Sequence, residues 1–144
     1  MKPIKLTINA FGSFLKETTI DFNILNQAGF YLITGATGSG KTTIFDAIMF
    51  ALYNEASGDI REVDGFRNDL ALDDNPTYVE FTFEKDNIIY CVTRSPRYSI
   101  KTRKTPLEAK AKLIYGNTIV EKTKQVDEKI ISIYISRVFI YIFL

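Results

Sequence analysis

Three features of this 144-residue sequence predict an α/β P-loop nucleotide-binding fold. The first is the stretch FYLITGATGSGKTTIFDAIMFALY, residues 30–53, where an apolar run passes through a glycine-rich loop into an apolar-rich helix. The second is a set of β-type segments on either side of that stretch, joined by short turns. The third is composition. At 46% hydrophobic and 24% charged, with a net charge of +1, the chain has the make-up of one globular domain with a buried core.

Taken in order, IKLTIN (residues 4–9) alternates apolar and polar residues, which predicts a half-buried strand. TTIDF (18–22) predicts a second short strand, with AFGSFLKE turning between the two. FYLIT (30–34) is apolar up to its last residue and predicts a strand buried on both faces, as in a central parallel sheet. Within residues 41–53, Ile44, Phe45, Ile48, Met49 and Leu52 recur at helical spacing and predict one wide apolar face. Residues 54–76 are polar and rich in Gly, Asn and Asp, a loop with a short helix near Arg67. TYVEFTFEK (77–85) and IIYCVTRS (88–95) read as a hairpin around Asp-Asn. PRYSIKTRKTP (96–106) is a basic, proline-bounded loop. EAKAKLIYGNTIVE (108–121) reads as strand, Gly-Asn turn and short strand, and KTKQVDEKII (122–131) has helix character. The tail ISIYISRVFIYIFL (131–144) is almost wholly apolar, β-branched and aromatic, with Arg137 its only charge. It is too short to span a bilayer and would be aggregation-prone if exposed.

Composition also excludes function classes. The near-balance of charge argues against a strongly electrostatic nucleic-acid binder, while leaving room for a local basic patch. Cys91 is the single cysteine, so no intrachain disulfide forms. The absence of histidine removes His-based zinc sites and His general bases. The N-terminus lacks the apolar core of a signal peptide, and no apolar run reaches the length of a membrane span. A cytoplasmic location is the expectation.

GATGSGKT, residues 35–42, fits the pattern G-x-x-x-x-G-K-[ST]. A triphosphate packs many negative oxygens into a small volume. Backbone N–H groups converge on it only where the chain turns tightly without side chains in the way, hence Gly35, Gly38 and Gly40. The helix beginning near Lys41 adds free N–H groups and the positive end of its dipole. Lys41 would reach the β- and γ-phosphates, the Thr42 hydroxyl would sit on Mg²⁺, and Thr43 could bond the α-phosphate. ATP and Mg²⁺ are the expected cofactors. The competing reading, a chance Gly-rich turn, is opposed by the apolar run leading in and the helix leading out. A second strand of four apolar residues ending in Asp, which would help hold Mg²⁺, is not found in the sequence. EASGD (55–59) faintly resembles the signature segment of ABC-type ATPases but follows the first helix too closely, and reads as loop. The chain thus carries the phosphate-gripping half of an ATPase and little of the hydrolytic half.

With these segments in hand, the chain resembles the N-terminal ATPase lobe of the SbcC family, SMC-like, ABC-type DNA-repair ATPases. MKPIKLTINAFGSF resembles the family's opening, although a proline is common there at the place of Ser13. TIDF, the long P-loop stretch, FRNDLA (66–71) and TYVEFTFEKDNIIYCVTRSP also match. The resemblance implies the N-terminal lobe of an ABC-type head, with a mixed sheet and added β hairpins. By position it carries over Gly35, Gly38, Ser39, Gly40, Lys41, Thr42 and Thr43 as phosphate and Mg²⁺ contacts, and Arg67 more weakly, since a surface charge explains Arg67 equally well. Gly12 and Phe11 border the nucleotide or simply form a turn. For the intact protein it implies two ATPase heads sandwiching ATP, an SbcD-like nuclease subunit as partner, DNA as substrate and no membrane.

The resemblance covers residues 1–131, an incomplete P-loop lobe. Residues 132–144 do not resemble the family, and a truncated frame, with the tail read out of frame or stopped early, is the expectation. The coiled-coil arms, the signature motif and an Asp-Glu strand are lacking, so little ATP turnover is expected of this chain alone. The alternatives are a stand-alone nucleotide-binding module completed by another chain, or a non-functional pseudogene product. Arg94, Arg97, Lys101, Arg103 and Lys104, with Tyr98 interleaved, form either a DNA-phosphate contact or an ordinary solvated loop.

Overall fold

Alternating side chains build the sheet. A computed structural model of the chain describes residues 1–25, 32–57 and 63–134. Six strands, β1 (Lys2–Asn9), β2 (Thr18–Asp21), β3 (Tyr78–Lys85), β4 (Ile88–Ser95), β5 (Lys110–Tyr115) and β6 (Thr118–Glu121), lie in the order β2-β1-β3-β4-β5-β6. In β3 every second residue, Val79, Phe81 and Phe83, turns into the core, and in β4 Tyr90 and Val92 do the same. The β3–β4 hairpin closes through Asp86 and Asn87 at φ 52° and 60°, the positive pair a two-residue type I′ turn requires. Two helices, α1 (Lys41–Tyr53) and α2 (Thr123–Tyr134), complete the core, α1 against β3 and β4 and α2 against β5 and β6. Short 3-10 turns occupy Phe22–Leu25 and Val63–Gly65, the latter close to the helix expected near Arg67.

The sheet departs from expectation in two ways. All five strand pairings among the described residues are antiparallel, where a mixed sheet is expected. The described part of FYLIT, residues 32–34, is not a strand, and Leu32 is 88% exposed; Phe30 and Tyr31 lie outside the described residues. A doubly buried strand needs a neighbour on each side, and the six strands here pair only with one another.

The bounds of α1 match the expected 41–53, but its buried face does not. Thr43, Asp46, Ala47, Phe50, Ala51 and Leu52 are buried, whereas Ile44, Phe45, Ile48 and Met49 are only half-buried. The sheet below already carries Phe81, Phe83 and Tyr90, so the helix meets it with small residues, Ala47 and Ala51, and inserts one large ring, Phe50. Helix α2 runs past residue 131 to Tyr134 and buries Val126, Ile130 and Ile133. The remainder of the expected tail, residues 135–144, lies outside the described residues.

Arg94 ties both helices to the sheet. Its place on β4, two residues after Val92, turns it inward, and its side chain is only 1% exposed. The Nε–H donates to the Ala51 carbonyl at 2.7 Å, near the C-terminal end of α1, where the last carbonyls have no helical partner. One terminal nitrogen donates to Asp127 Oδ1 on α2 at 2.6 Å. Burial pulls the Arg94 pKa down and Asp127 opposes that shift. Arg94 is therefore a core residue and leaves the basic surface patch expected from the sequence.

This packing has two measurable consequences. Arg94→Ala should lower unfolding stability by roughly 2–4 kcal/mol in urea titration, less than a wholly buried pair would lose because Asp127 is 35% exposed. Tyr78 donates its hydroxyl to Glu17, and burial first, then that carboxylate, pushes its pKa up to about 12. The fold favours the neutral phenol, so this contribution is full below the ordinary tyrosine value of 10.0 and is lost as pH rises towards 12. The ultraviolet titration difference between wild type and Tyr78→Phe should show one tyrosine ionising near pH 12.

Candidate phosphate-binding site

The loop ahead of α1 turns where its glycines permit. Gly38 and Gly40 have φ of 83° and 89°, a region closed to most side chains. The Ser39 N–H closes a turn onto the Ala36 carbonyl at 3.2 Å. Gly40 caps α1 and no side chain caps the helix, so the first-turn N–H groups keep their capacity to bind an anion. Two glycines also sit where a Cβ would collide. At Gly35 it would lie 2.7 Å from Ser39 Oγ, and at Gly40 2.6 Å from Ser13 Oγ and 3.2 Å from the Phe14 ring.

Lys41 folds back across this loop. Its Nζ donates to the carbonyls of Gly35 at 2.7 Å and Ala36 at 2.8 Å. The ammonium is thereby held over the concave loop, with capacity for one further hydrogen bond. Thr42 is exposed on the first turn, whereas Thr43 is buried and accepts a hydrogen bond from Ser13 Oγ at 3.1 Å. The site thus combines oriented N–H groups, a helix dipole, one cation and one exposed hydroxyl. Among the described residues no group of three or more His, Cys, Asp or Glu could hold a metal ion. A magnesium ion here would take the Thr42 hydroxyl and otherwise rely on phosphate oxygens and water.

The turn between β1 and β2 supports the loop from behind. Phe11 and Phe14 exchange backbone hydrogen bonds at 2.9 and 3.0 Å, and the Gly12 N–H donates to the Phe66 carbonyl at 2.7 Å. Asn68 clamps the same turn, its N–H on Ala10 O at 2.9 Å and its Nδ2 on Gly12 O at 2.7 Å. Beneath lies an aromatic cluster of Phe11, Phe50 and Phe66, with centroids 4.5–5.7 Å apart. Between turn, helix start and the 65–70 segment opens a cleft of about 510 Å³ lined by Gly12, Ser13, Thr43, Phe66, Arg67 and Asn68. Behind α1, buried Asp46 accepts hydrogen bonds from the Ser57 N–H and hydroxyl and fastens the loop leaving the helix.

Most residues singled out in the sequence fall together. Gly35, Gly38, Ser39, Gly40, Lys41, Thr42 and Thr43 form the continuous loop and first turn, and Arg67 lines the neighbouring cleft beside Thr43. Arg67 is engaged elsewhere, however. Its terminal nitrogens donate to Asn75 O (2.9 Å), Thr77 Oγ1 (2.6 Å), Ala71 O (3.4 Å) and Leu72 O (2.8 Å), and the guanidinium stacks 4.4 Å from the Tyr98 ring centroid. It organises residues 67–77. Gly12 and Phe11 do form a turn, and Gly12 also borders the cleft. In the basic loop, Arg97 lies within 4 Å of Asp64 and Glu108, while Lys101, Arg103 and Lys104 are exposed. Ser13, Asn68 and Asp46 carry no local sequence signal; their roles come from contacts across 30, 56 and 11 residues of chain.

A glycine-rich loop opening a helix that packs on a β-sheet defines an α/β nucleotide-binding domain of the P-loop ATPase class. The chain belongs to the AAA domain family, whose profile matches residues 5–143. More particularly, it is similar to the N-terminal part of SbcC, the C component of the SbcCD nuclease. It is 35% identical to that protein of Lactococcus lactis over 133 residues, 92% of this chain and 12% of the relative. It is 43% identical to the Vibrio cholerae protein over 104 residues (72% and 10%) and 44% identical to a Staphylococcus aureus protein over 110 residues (76% and 11%). The chain spans about a tenth of the length of these curated relatives. Among the described residues no helix is long and apolar enough to cross a membrane.

Gly38 and Gly40 separate two costs of substitution. Gly38→Ala meets no atom within 4 Å and bears only its positive φ, whereas Gly40→Ala adds the collision with Ser13 and Phe14. Thermal melting should show Gly38→Ala losing about 1 kcal/mol and Gly40→Ala clearly more. Equal losses would mean that the turn does not press on the loop.

Proposed function

We propose that this chain is the ATP-binding part of an SbcC-like ATPase subunit of a nuclease that processes DNA breaks and hairpins. In this reading it is the N-terminal lobe of an ABC-type head that works with a second head and an SbcD-like subunit. The observation that carries it is Lys41 poised over a loop whose following helix has no side-chain cap. Bound ATP would supply the phosphoanhydride, and magnesium would neutralise its oxygens. The chain's own residues bind and orient. N–H groups of the loop and first turn receive the phosphate oxygens, and Lys41 exchanges a loop carbonyl for a phosphate oxygen. Thr42 offers a metal ligand, and Thr43 holds the α-phosphate side. Ser39 and the glycines keep the loop narrow. The sequence holds no strand of four apolar residues ending in Asp, and in this reading the chain alone binds ATP with little turnover.

A second reading, a nucleotide module completed by a separate chain, draws on Leu32 at the entry to the loop, which is exposed and, among the described residues, outside any strand pairing. Under the leading reading that entry is covered by the C-terminal lobe of the same protein, and under the second by a different protein.

Equilibrium binding of a fluorescent ATP analogue with Mg²⁺ tests the proposal. Lys41→Ala should weaken binding roughly 10- to 100-fold, the worth of a hydrogen bond to a charged group. Phosphate release by the wild type should not exceed that of the variant. Binding unaffected by Lys41→Ala would overturn the assignment, and Lys41-dependent turnover would overturn its non-hydrolytic part.

A further inference from the structure

We propose that Ser13, in the turn between β1 and β2, is a positioning residue for the nucleotide, acting through the hydroxyl of Thr43. The assignment rests on the nucleotide-binding reading above and adds to it a residue outside the glycine loop. Thr43 is 5% exposed, and its contact with Ser13 Oγ at 3.1 Å is the side chain's one hydrogen bond among the described residues. The rest of the Thr43 side chain is wedged. Its methyl faces Gly12 so closely that a Cβ at Gly12 would lie 2.5 Å from it. Gly12 cannot retreat easily, because its N–H is bonded to Phe66 O at 2.7 Å and its carbonyl to Asn68 Nδ2 at 2.7 Å. One rotamer of Thr43 is thus selected from two sides, the methyl by Gly12 and the oxygen by Ser13.

The chemistry of the pair gives this geometry a direction. A hydroxyl has one proton and two lone pairs. Since Ser13 donates to Thr43 Oγ1, the Thr43 proton points away from Ser13 and remains available as a donor. Thr43 and Ser13 both line the 510 Å³ cleft at the start of α1. A directed donor there suits an anionic phosphate oxygen, whereas a freely turning hydroxyl would spend part of its time accepting from another group. Ser13 Oγ also lies where a Cβ on Gly40 would reach within 2.6 Å, so the same atom rests against the loop glycine that caps α1.

The test is a double-mutant cycle on the whole chain, read as affinity for the fluorescent ATP analogue with Mg²⁺. Ser13→Ala and Thr43→Val should each weaken binding roughly 3- to 10-fold, the span of one hydrogen bond. The double variant should bind no more weakly than Thr43→Val alone, because Ser13 acts only through that hydroxyl. A role confined to stability would lower the melting temperature and give losses that multiply in the double variant, and that result overturns the proposal. So does wild-type affinity in Ser13→Ala. Should Ser13→Ala fail to fold, Ser13→Cys, with its weak S–H donor, takes its place under the same two outcomes. Lys41→Ala separates the levels of failure: binding that depends on Lys41 but not on Ser13 overturns this assignment alone. The absence of any Lys41-dependent binding overturns the nucleotide-binding reading and this assignment with it.

Discussion

A Cβ on Gly12 would come within 2.5 Å of the Thr43 methyl, and a Cβ on Gly40 within 2.6 Å of Ser13 Oγ. The turn between β1 and β2 therefore lies in van der Waals contact with the beginning of α1, across about 30 residues of intervening chain. That contact is possible only because glycine stands at both points, and it sets the position of the phosphate loop relative to the sheet. The turn is itself held by Phe66 O, by Asn68 and by the Phe11–Phe50–Phe66 cluster. Loop, helix start and cleft wall thus form one packed unit whose parts come from three separate stretches of sequence.

Support for this unit is unequal along the chain. On the exit side, α1 is fixed along its length by Phe50 in the core, by Asp46 on Ser57 and by Arg94 on the Ala51 carbonyl. On the entry side, residues 32–34 have no strand partner among the described residues, and Leu32 is exposed. The loop retains an uncapped helix terminus and a lysine bonded to its own carbonyls. The half-buried flank of α1, Ile44, Phe45, Ile48 and Met49, is a further apolar surface on the same element.

Much of this was legible in the sequence, and the failures have identifiable causes. Alternation marks β1, whose Leu6 and Ile8 are buried, apolar runs bounded by turn residues mark the other strands, and α1 is bounded by its glycine loop and by Asn54, whose φ of 59° ends it. The burying face of α1 was misjudged because hydrophobicity does not tell which stripe can approach a sheet already filled with rings; Ala47 and Ala51 can, and Ile44 and Ile48 cannot as closely. Arg94 read as part of a basic surface run, although its place at two-residue spacing from Tyr90 and Val92 points inward. FYLIT satisfied the pattern of a buried strand, but a pattern cannot supply neighbours. Arg67 reads from the sequence as a nucleotide contact or a surface charge, whereas its partners in the fold are three carbonyls and the Thr77 hydroxyl of its own loop, with the Tyr98 ring stacked on it. Nothing local marks Ser13, since its meaning depends on where a turn lands against a helix.

Backbone amide chemical shifts, followed as MgATP is added to the isotopically labelled chain, test most directly whether this loop is a formed phosphate site. The account predicts that the largest shifts fall on Gly38, Gly40, Lys41 and Thr42, with smaller ones on Gly12 and Ser13, while Arg94 and Asp127 stay in place. Shifts centred away from residues 35–43, or none at saturating nucleotide, would contradict it.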